Sequence, residues 1–253
     1  MSAVMLRPTD AWLRGLSLVV FFSLWQLVAL WVNKPLLPTP SVVLVSLWRE
    51  LTEGSLLHHL GVTLARVAVS FLIAMALGTA LGIVMGRSRR ADAAMDSLLV
   101  LALNIPALVT IILCYIWFGL TEAAAVTAVA LNKIPTVVVT VREGARAVDR
   151  QLMEVAGVYR VPPLRTLLKV YLPQLFPYVM AAARGGLALI WKIVLVVELL
   201  GRSDGVGFQL GTFFQFFDIT GILAYTLAFA AVVLGVEAAL MRPLERRLTR
   251  WRL

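Results

Sequence analysis

Charged residues are scarce in this chain. Asp, Glu, Lys and Arg together make up 15% of the 253 residues, and hydrophobic residues make up 60%. A soluble domain is about a quarter charged and about half apolar. The mean hydropathy of +0.90 points the same way. The composition therefore excludes an ordinary soluble domain and indicates an all-α membrane protein that crosses the bilayer several times.

Cysteine is almost absent. The single residue, Cys114, lies in an apolar run, so the chain cannot form an internal disulfide and reveals nothing of its redox compartment. The net charge of +9 would suggest nucleic acid as the partner of a soluble protein. In a membrane protein, cationic loops that face the cytoplasm explain this charge better, and we expect no nucleic-acid partner.

Catalytic and metal-binding patterns are also missing. The sequence has no G-x4-G-K-[ST] phosphate loop, so we expect that the chain does not hydrolyse ATP itself. His58 and His59 are adjacent without a third ligand at metal spacing, and we expect both at the surface. No paired nucleophile and base occurs within the apolar runs. We therefore predict no catalytic residue, no metal site and no cofactor in this chain.

Six apolar runs are long enough to cross a hydrocarbon core of ~30 Å at ~1.5 Å per residue, the first barely so. We predict one transmembrane domain over residues 1–253. Its predicted spans are about 16–32, 64–85, 98–120, 123–141, 175–200 and 222–241. The first run is followed by Asn33-Lys34-Pro35 and not by a small-residue cleavage site, which favours an uncleaved anchor.

Several residues within and between these runs predict local features. Gly78, Gly82 and Gly86 form a small stripe that lets another helix approach closely. Pro106 predicts a kink in the third span. Lys133 and Pro135 are expected to interrupt the fourth.

Two connecting segments have helical patterns of their own. Ser41 is a candidate N-cap for a helix over 42–53 at the membrane surface. Residues 201–221 are rich in glycine and phenylalanine, which predicts a surface helix or a partial re-entry on the outer side.

The Lys and Arg residues outside the spans are distributed unevenly. Two lie before the first span, three after the second, six after the fourth and five in the C-terminal tail, all on the side of the termini. The other side carries only Lys34, Arg49 and Arg202. Cytoplasmic loops carry an excess of cations, so we predict both termini and the loop at 142–173 in the cytoplasm.

Charges inside the spans are candidates for a solute pathway, because an intramembrane charge normally faces the bundle interior or water. Arg184, Trp191 and Glu198 are seven residues apart, which predicts one helix face, with Lys192 about 80° from Arg184. The pathway candidates are Lys133, Arg184, Trp191, Lys192 and Glu198. The alternative is that Arg184 and Glu198 are structural partners of neighbouring helices.

The stretch from Glu154 to Pro173 is a polar island with two apolar stripes. One consists of Leu152, Val155, Ala156 and Tyr159, and the other of Leu164, Leu167, Leu168 and Tyr171. Each has the spacing of one helix face. Val161-Pro162-Pro163 separates them, since Pro162 disfavours helical backbone at Val161. Asp149 is a candidate N-cap. We predict two short helices with a sharp break between them.

This stretch resembles the cytoplasmic EAA loop of binding-protein-dependent ABC importer permeases, with pattern E-A-A-x3-G-x9-I-x-L-P. Glu154, Ala156, Leu172 and Pro173 are in register, while Val155, Arg160 and Val170 replace the family's alanine, glycine and isoleucine. The glycine normally ends the first helix in a left-handed conformation. We expect the two prolines to end it here, because arginine is poor in that conformation.

Leu-Pro-Thr-Pro at residues 37–40 is similar to a signature of the nitrate, sulfonate and taurine branch of this family. The resemblance implies a type I ABC importer permease of six transmembrane helices with cytoplasmic coupling helices, in a bacterial inner membrane. It also implies the residues that couple to the ATPase. These are Leu152, Glu154, Val155, Ala156, Tyr159, Arg160, Leu172 and Pro173.

The resemblance further implies partners: a second permease copy in a homodimer, a cytoplasmic ATPase dimer that holds ATP and Mg, an external solute-binding protein, and membrane lipid. The cationic spans favour a small anionic or zwitterionic solute. Two alternatives remain. An ion-coupled carrier would need no ATPase but usually shows internal repeats, which we do not detect. A non-transporting scaffold or membrane enzyme is the other.

Overall fold

The computed structural model describes residues 8–34, 36–241 and 243. All regular structure among these residues is helical, as the composition predicts. The helices are α1 (Pro8–Val32), α2 (Pro40–Thr52), α3 (Leu56–Arg87), α4 (Arg89–Asn104), α5 (Ala107–Phe118), α6 (Glu122–Arg146), α7 (Arg150–Val158), α8 (Pro163–Thr166), α9 (Leu172–Gly201), α10 (Val206–Gln215) and α11 (Ile219–Val236). A π-helical turn, Leu167–Tyr171, joins α8 to α9, and a second, Glu237–Met241, follows α11.

Five helical segments are long and apolar enough to cross a membrane, and α4 with α5 makes a sixth if this bent pair is counted as one span. The bend between α4 and α5 is 97°, at the place where Pro106 predicts a kink. Pro106 has no N–H to continue the helix, which explains the break. The five segments are Gly15–Val32, Leu56–Arg87, Glu122–Arg146, Pro163–Gly201 and Ile219–Ala239.

One predicted interruption is wrong. Lys133 and Pro135 do not interrupt the fourth span, because α6 continues through both residues. Membrane helices tolerate such a proline because neighbouring groups satisfy the freed backbone. The helix that carries the predicted fifth span extends further toward the N-terminus than residue 175. Its helical run starts at Pro163 and passes through the π-helical turn into α9, so the second half of the polar island continues into the span.

The chain divides into two compact units. The first contains residues up to Leu57 together with Leu210–Ala231. In it, Trp25 Nε1 donates to the Pro38 carbonyl at 3.1 Å, and Tyr225 contacts Glu50 at 3.2 Å. The N-cap of α2 is Thr39 and not Ser41, because the Thr39 hydroxyl accepts from the Val42 N–H and Pro40 already lies in the first turn.

The second unit contains His58–Gln209 and the residues from Val232 onward. Here α6 packs along α9, and the small stripe of α3 lies against α6. A Cβ atom added to Gly78 would stand 2.6 Å from Val137 Cβ, and one added to Gly82 would stand 2.8 Å from Val141 Cβ. Gly86 has the same relation to Ala145. Only glycine allows this approach, since real Cβ contacts are longer.

Candidate functional site

The α7 helix has a defined start. Asp149 is its N-cap, and Asp149 Oδ1 accepts from the N–H groups of Gln151 at 2.7 Å and Leu152 at 3.4 Å. Two donors that the helix itself cannot satisfy are thereby paired. The direction of α7 is therefore fixed at its first turn.

The end of α7 corrects one prediction. Arg160 has a φ of 49°, so it adopts the left-handed conformation itself, and the prolines do not replace that conformation. Its N–H bonds to the Gly157 carbonyl, and the Val161 N–H bonds back to the Ala156 carbonyl, both at 2.9 Å. These two bonds form a Schellman motif with Arg160 in the place that glycine usually holds. Arg160 carries the strain that glycine would avoid.

The first apolar stripe is divided between two environments. Leu152, Val155 and Tyr159 are exposed, and Glu154 lies in the same exposed surface. Ala156 is 5% exposed and faces the chain. Ala156 therefore does not share the exposed face of Leu152, Val155 and Tyr159, and its coupling to an ATPase stays a prediction. Val158, which the sequence pattern missed, is 80% exposed.

The exposed apolar face of α7 therefore consists of Leu152, Val155, Val158 and Tyr159. Below α7, a cavity of about 580 Å³ is lined by Met153, Ala156 and the turn from Val161 to Leu167. Arg87, from the end of α3, lies over the Tyr171 ring at 5.1 Å from its centre and closes one wall. Leu172 and Pro173 are half-buried in the first turn of α9.

The charged face of α9 differs from the predicted one. Arg184 is 53% exposed and Lys192 is also exposed, whereas Trp191 and Glu198 are buried. Arg184 lies at one edge of the exposed stripe of α9, and the heptad spacing drifts away from that stripe by about 20° per repeat in a straight helix, so Trp191 and Glu198 lie on the buried side. Arg184 instead shares an exposed stripe with Lys192. Its guanidinium lies 3.7 Å from Glu237.

Lys133 is sealed between α6 and α9. Its side chain is 3% exposed, and its ammonium donates to Thr136 Oγ1 at 2.7 Å. Gly186 lies against the end of the lysine side chain and leaves room for it. Among the residues described, Lys133 makes no ion pair. Its position inside the unit does not bring it onto the stripe of Arg184 and Lys192.

A buried ion cluster joins α3, α6 and α9, and sequence reasoning missed its centre. Arg66 lies in α3 and is 4% exposed. It donates to Glu198 Oε1 at 2.8 Å, to Glu122 Oε2 at 2.9 Å and to the Asp204 carboxylate. The sequence places Arg66 near the end of a run, but it is the only cation in that run. This is the signal that could have identified it.

Three partners within this cluster donate to the carboxylate of Glu198. Its carboxylate is 0% exposed and accepts from Thr63 Oγ1 at 2.9 Å and from the Gly207 N–H at 2.8 Å, besides Arg66. This placement favours the alternative in which Glu198 is a structural partner. His59 is buried, contrary to expectation, and its Nδ1 accepts from the Gly205 N–H at 3.0 Å, so this buried nitrogen has a partner.

Comparison with known proteins agrees with this architecture. The profile of the family described as binding-protein-dependent transport system inner membrane component matches residues 78–250. SsuC of Bacillus subtilis, named for aliphatic sulfonates transport, is 32% identical over 97% of this chain and 90% of its own length. TauC of Escherichia coli, a taurine transport system permease protein, is 28% identical over 93% of this chain and 88% of its own length.

Solved structures show the same fold. A chain of the MetNI methionine ABC transporter in an inward facing conformation has a TM-score of 0.67 at 17% identity, covering 79% of this chain and 98% of that one. A chain of an amino acid ABC transporter has a TM-score of 0.62 at 20% identity, covering 76% and 93%. The chain belongs to the family of binding-protein-dependent transport system inner membrane components and is an ABC importer permease of the inner membrane.

Proposed function

We propose that two copies of this chain form the membrane pathway for a small anion or zwitterion such as a sulfonate, taurine or nitrate. A separate pair of cytoplasmic ATPases, which hold ATP and Mg, drives the cycle from the exposed face of α7. An external binding protein delivers the solute. The observation that carries this proposal is the exposed stripe of α9.

That stripe is unsuited to lipid. Ala181, Arg184, Gly185, Ala188 and Lys192 are all exposed and recur at helical spacing. Lys192 lies nine residues before the end of α9 at Gly201, or about 14 Å along the helix. A cation at this depth is costly in hydrocarbon, so it faces protein or water. The small neighbours allow a second copy to approach closely.

The charge of the stripe favours an anionic cargo. Glu198 is paired with Arg66 and does not neutralise Lys192. Glu237 lies near Arg184 at 3.7 Å, which leaves the stripe cationic at Lys192. Cations along a watery path raise the local concentration of anions. The relatives named for sulfonates, taurine and bicarbonate transport support the same solute class.

The test is uptake into proteoliposomes that contain the permease, its ATPase and its binding protein. Lys192→Gln should slow uptake several-fold while ATP hydrolysis persists, because only the pathway charge is lost. Lys34→Gln removes an exposed cation outside the spans and serves as the matched control. Normal uptake by Lys192→Gln, or a binding protein that holds a cation, would refute the solute class. Failure of an ATPase to copurify with the permease would favour an ion-coupled carrier.

The orientation rests on the cation bias. Of the residues that create it, Arg7 and those of the tail from Arg242 onward lie outside the described residues. In a Cys114→Ala background, single cysteines at Ser88 and Gln151 should resist an impermeant thiol reagent in intact cells. A cysteine at Ser203 should react with it. Labelling of Gln151→Cys from outside would reverse the topology and remove α7 from the cytoplasm.

A further inference from the structure

Gln174, in the first turn of α9, connects two helices through its side-chain amide. Its Oε1 accepts from the Asp149 N–H at 2.9 Å, and its Nε2 donates to the Val170 carbonyl at 2.9 Å. Each end of the amide meets the partner that its chemistry requires. The side chain is half-buried, and both of its bonds are to backbone. Its orientation is therefore fixed from both sides.

The anchor on Val170 follows from the local backbone. Leu167–Tyr171 is a π-helical turn, and α9 begins directly after it. The Gln174 amide adds a side-chain donor to the carbonyl of Val170, within this turn. The side chain of Gln174 is thus held against the backbone at the start of α9.

The other bond of Gln174 reaches the start of α7. Because Asp149 is the N-cap of α7, its backbone N–H has no acceptor within the helix, and Gln174 Oε1 accepts from it. Val148 and Met153, on either side of the cap, are half-buried against the cluster that contains Tyr171 and Leu175. A displacement of the α7 N-terminus therefore acts on α9 directly, and not only through the left-handed turn at Arg160.

We propose that Gln174 is a positioning residue that transmits the movement of α7 to α9 during transport. This inference rests on the proposed function, because it requires an ATPase that moves α7. The exposed cations Arg184 and Lys192 lie ten and eighteen residues further along the same chain segment, about 15 and 27 Å along the helix. Without the bond from the Asp149 N–H to Gln174, α7 can move through the turns on either side of it without moving α9 to the same extent.

The experiment measures uptake and ATP hydrolysis in the same proteoliposomes for wild type, Gln174→Leu and Gln174→Glu. Gln174→Leu removes both bonds, of which only the one from Asp149 joins α7 to α9. Solute moved per ATP should therefore fall roughly threefold or more, the scale of losing one hydrogen bond. Gln174→Glu keeps an acceptor for the Asp149 N–H and should recover part of that ratio. Gln215→Leu makes the same change at an exposed position of α10 and should leave the ratio unchanged.

The outcomes separate the hypotheses. A lower ratio at normal complex yield supports transmission by Gln174. An unchanged ratio in Gln174→Leu, or a fall in yield, uptake and hydrolysis together that Gln174→Glu shares, overturns it. If wild-type permease assembles with no ATPase, the proposed function is refuted, and the role of Gln174 is refuted with it.

Discussion

Removing Arg66 should destabilise the folded permease more than any exposed substitution. In Arg66→Met, Glu198 keeps its bonds from Thr63 and Gly207 but loses the charge that compensates it. Because Glu198 is completely buried, its carboxylate cannot recover water. Breaking a buried pair from one side typically costs about 3–5 kcal/mol. Glu122 is 54% exposed, so its lost ion pair adds little.

A double variant distinguishes charge from packing. In Arg66→Met/Glu198→Gln both charges disappear, and removal of a whole buried pair is often close to neutral. We therefore expect the second substitution to recover about half or more of the loss, or roughly 2 kcal/mol. A loss from packing alone would persist in the double variant.

The assay is unfolding in detergent micelles by denaturant titration, followed by the fluorescence of the seven Trp residues. Arg49→Met, at an exposed position of α2, should shift stability by less than about 0.5 kcal/mol. A loss below about 1 kcal/mol in Arg66→Met would refute the assignment of Arg66 as the compensating charge. So would a double variant that is less stable than the single one.

Three further predictions concern packing and docking. Arg160→Gly should relieve the left-handed strain and stabilise the end of α7 by about 1 kcal/mol, which slower hydrogen exchange of the α7 amides would show. Gly82→Leu should cost about 1–3 kcal/mol, since a Cβ there lies 2.8 Å from Val141, while Gly61→Leu, with open space, should be neutral. Val158→Glu should prevent copurification of the ATPase, and Val158→Ile should retain it; normal copurification of both would exclude this face.

Local patterns predicted the helices well because their causes are local. Apolar runs, the Asp149 cap and the break at Pro106 each depend on a few neighbouring residues, and the structure has all three. Glycine spacing on α3 likewise indicated where another helix approaches. The helices α6 and α9 extend beyond the apolar runs at 123–141 and 175–200, because polar residues still continue the helix.

The faces of α9 and the ion cluster depend on distant partners. A repeat of seven residues fits one face only if the helix follows a 3.5-residue period, and α9 does not. Arg66 and Glu198 are 132 residues apart, so no local pattern pairs them. Ala156 fits the spacing of the first apolar stripe, but its small side chain is buried on the other side of α7, which spacing alone does not reveal.

The ion cluster and the glycine stripe together constrain how α9 can move. Arg66, near the N-terminal end of α3, forms ion pairs with Glu122 of α6 and Glu198 of α9. Further along α3, Gly78, Gly82 and Gly86 pack closely against α6. Near the C-terminal end of α6, Arg142 contacts Asp92 and Asp96 of α4 at 3.3 and 2.6 Å and holds that end of the helix in place. A rotation of α9 alone would have to break the buried Arg66–Glu198 pair, at a cost of several kcal/mol. Movement of α3, α6 and α9 as one rigid body leaves that pair intact, so a pull on α7 that reaches α9 should reorient all three helices together.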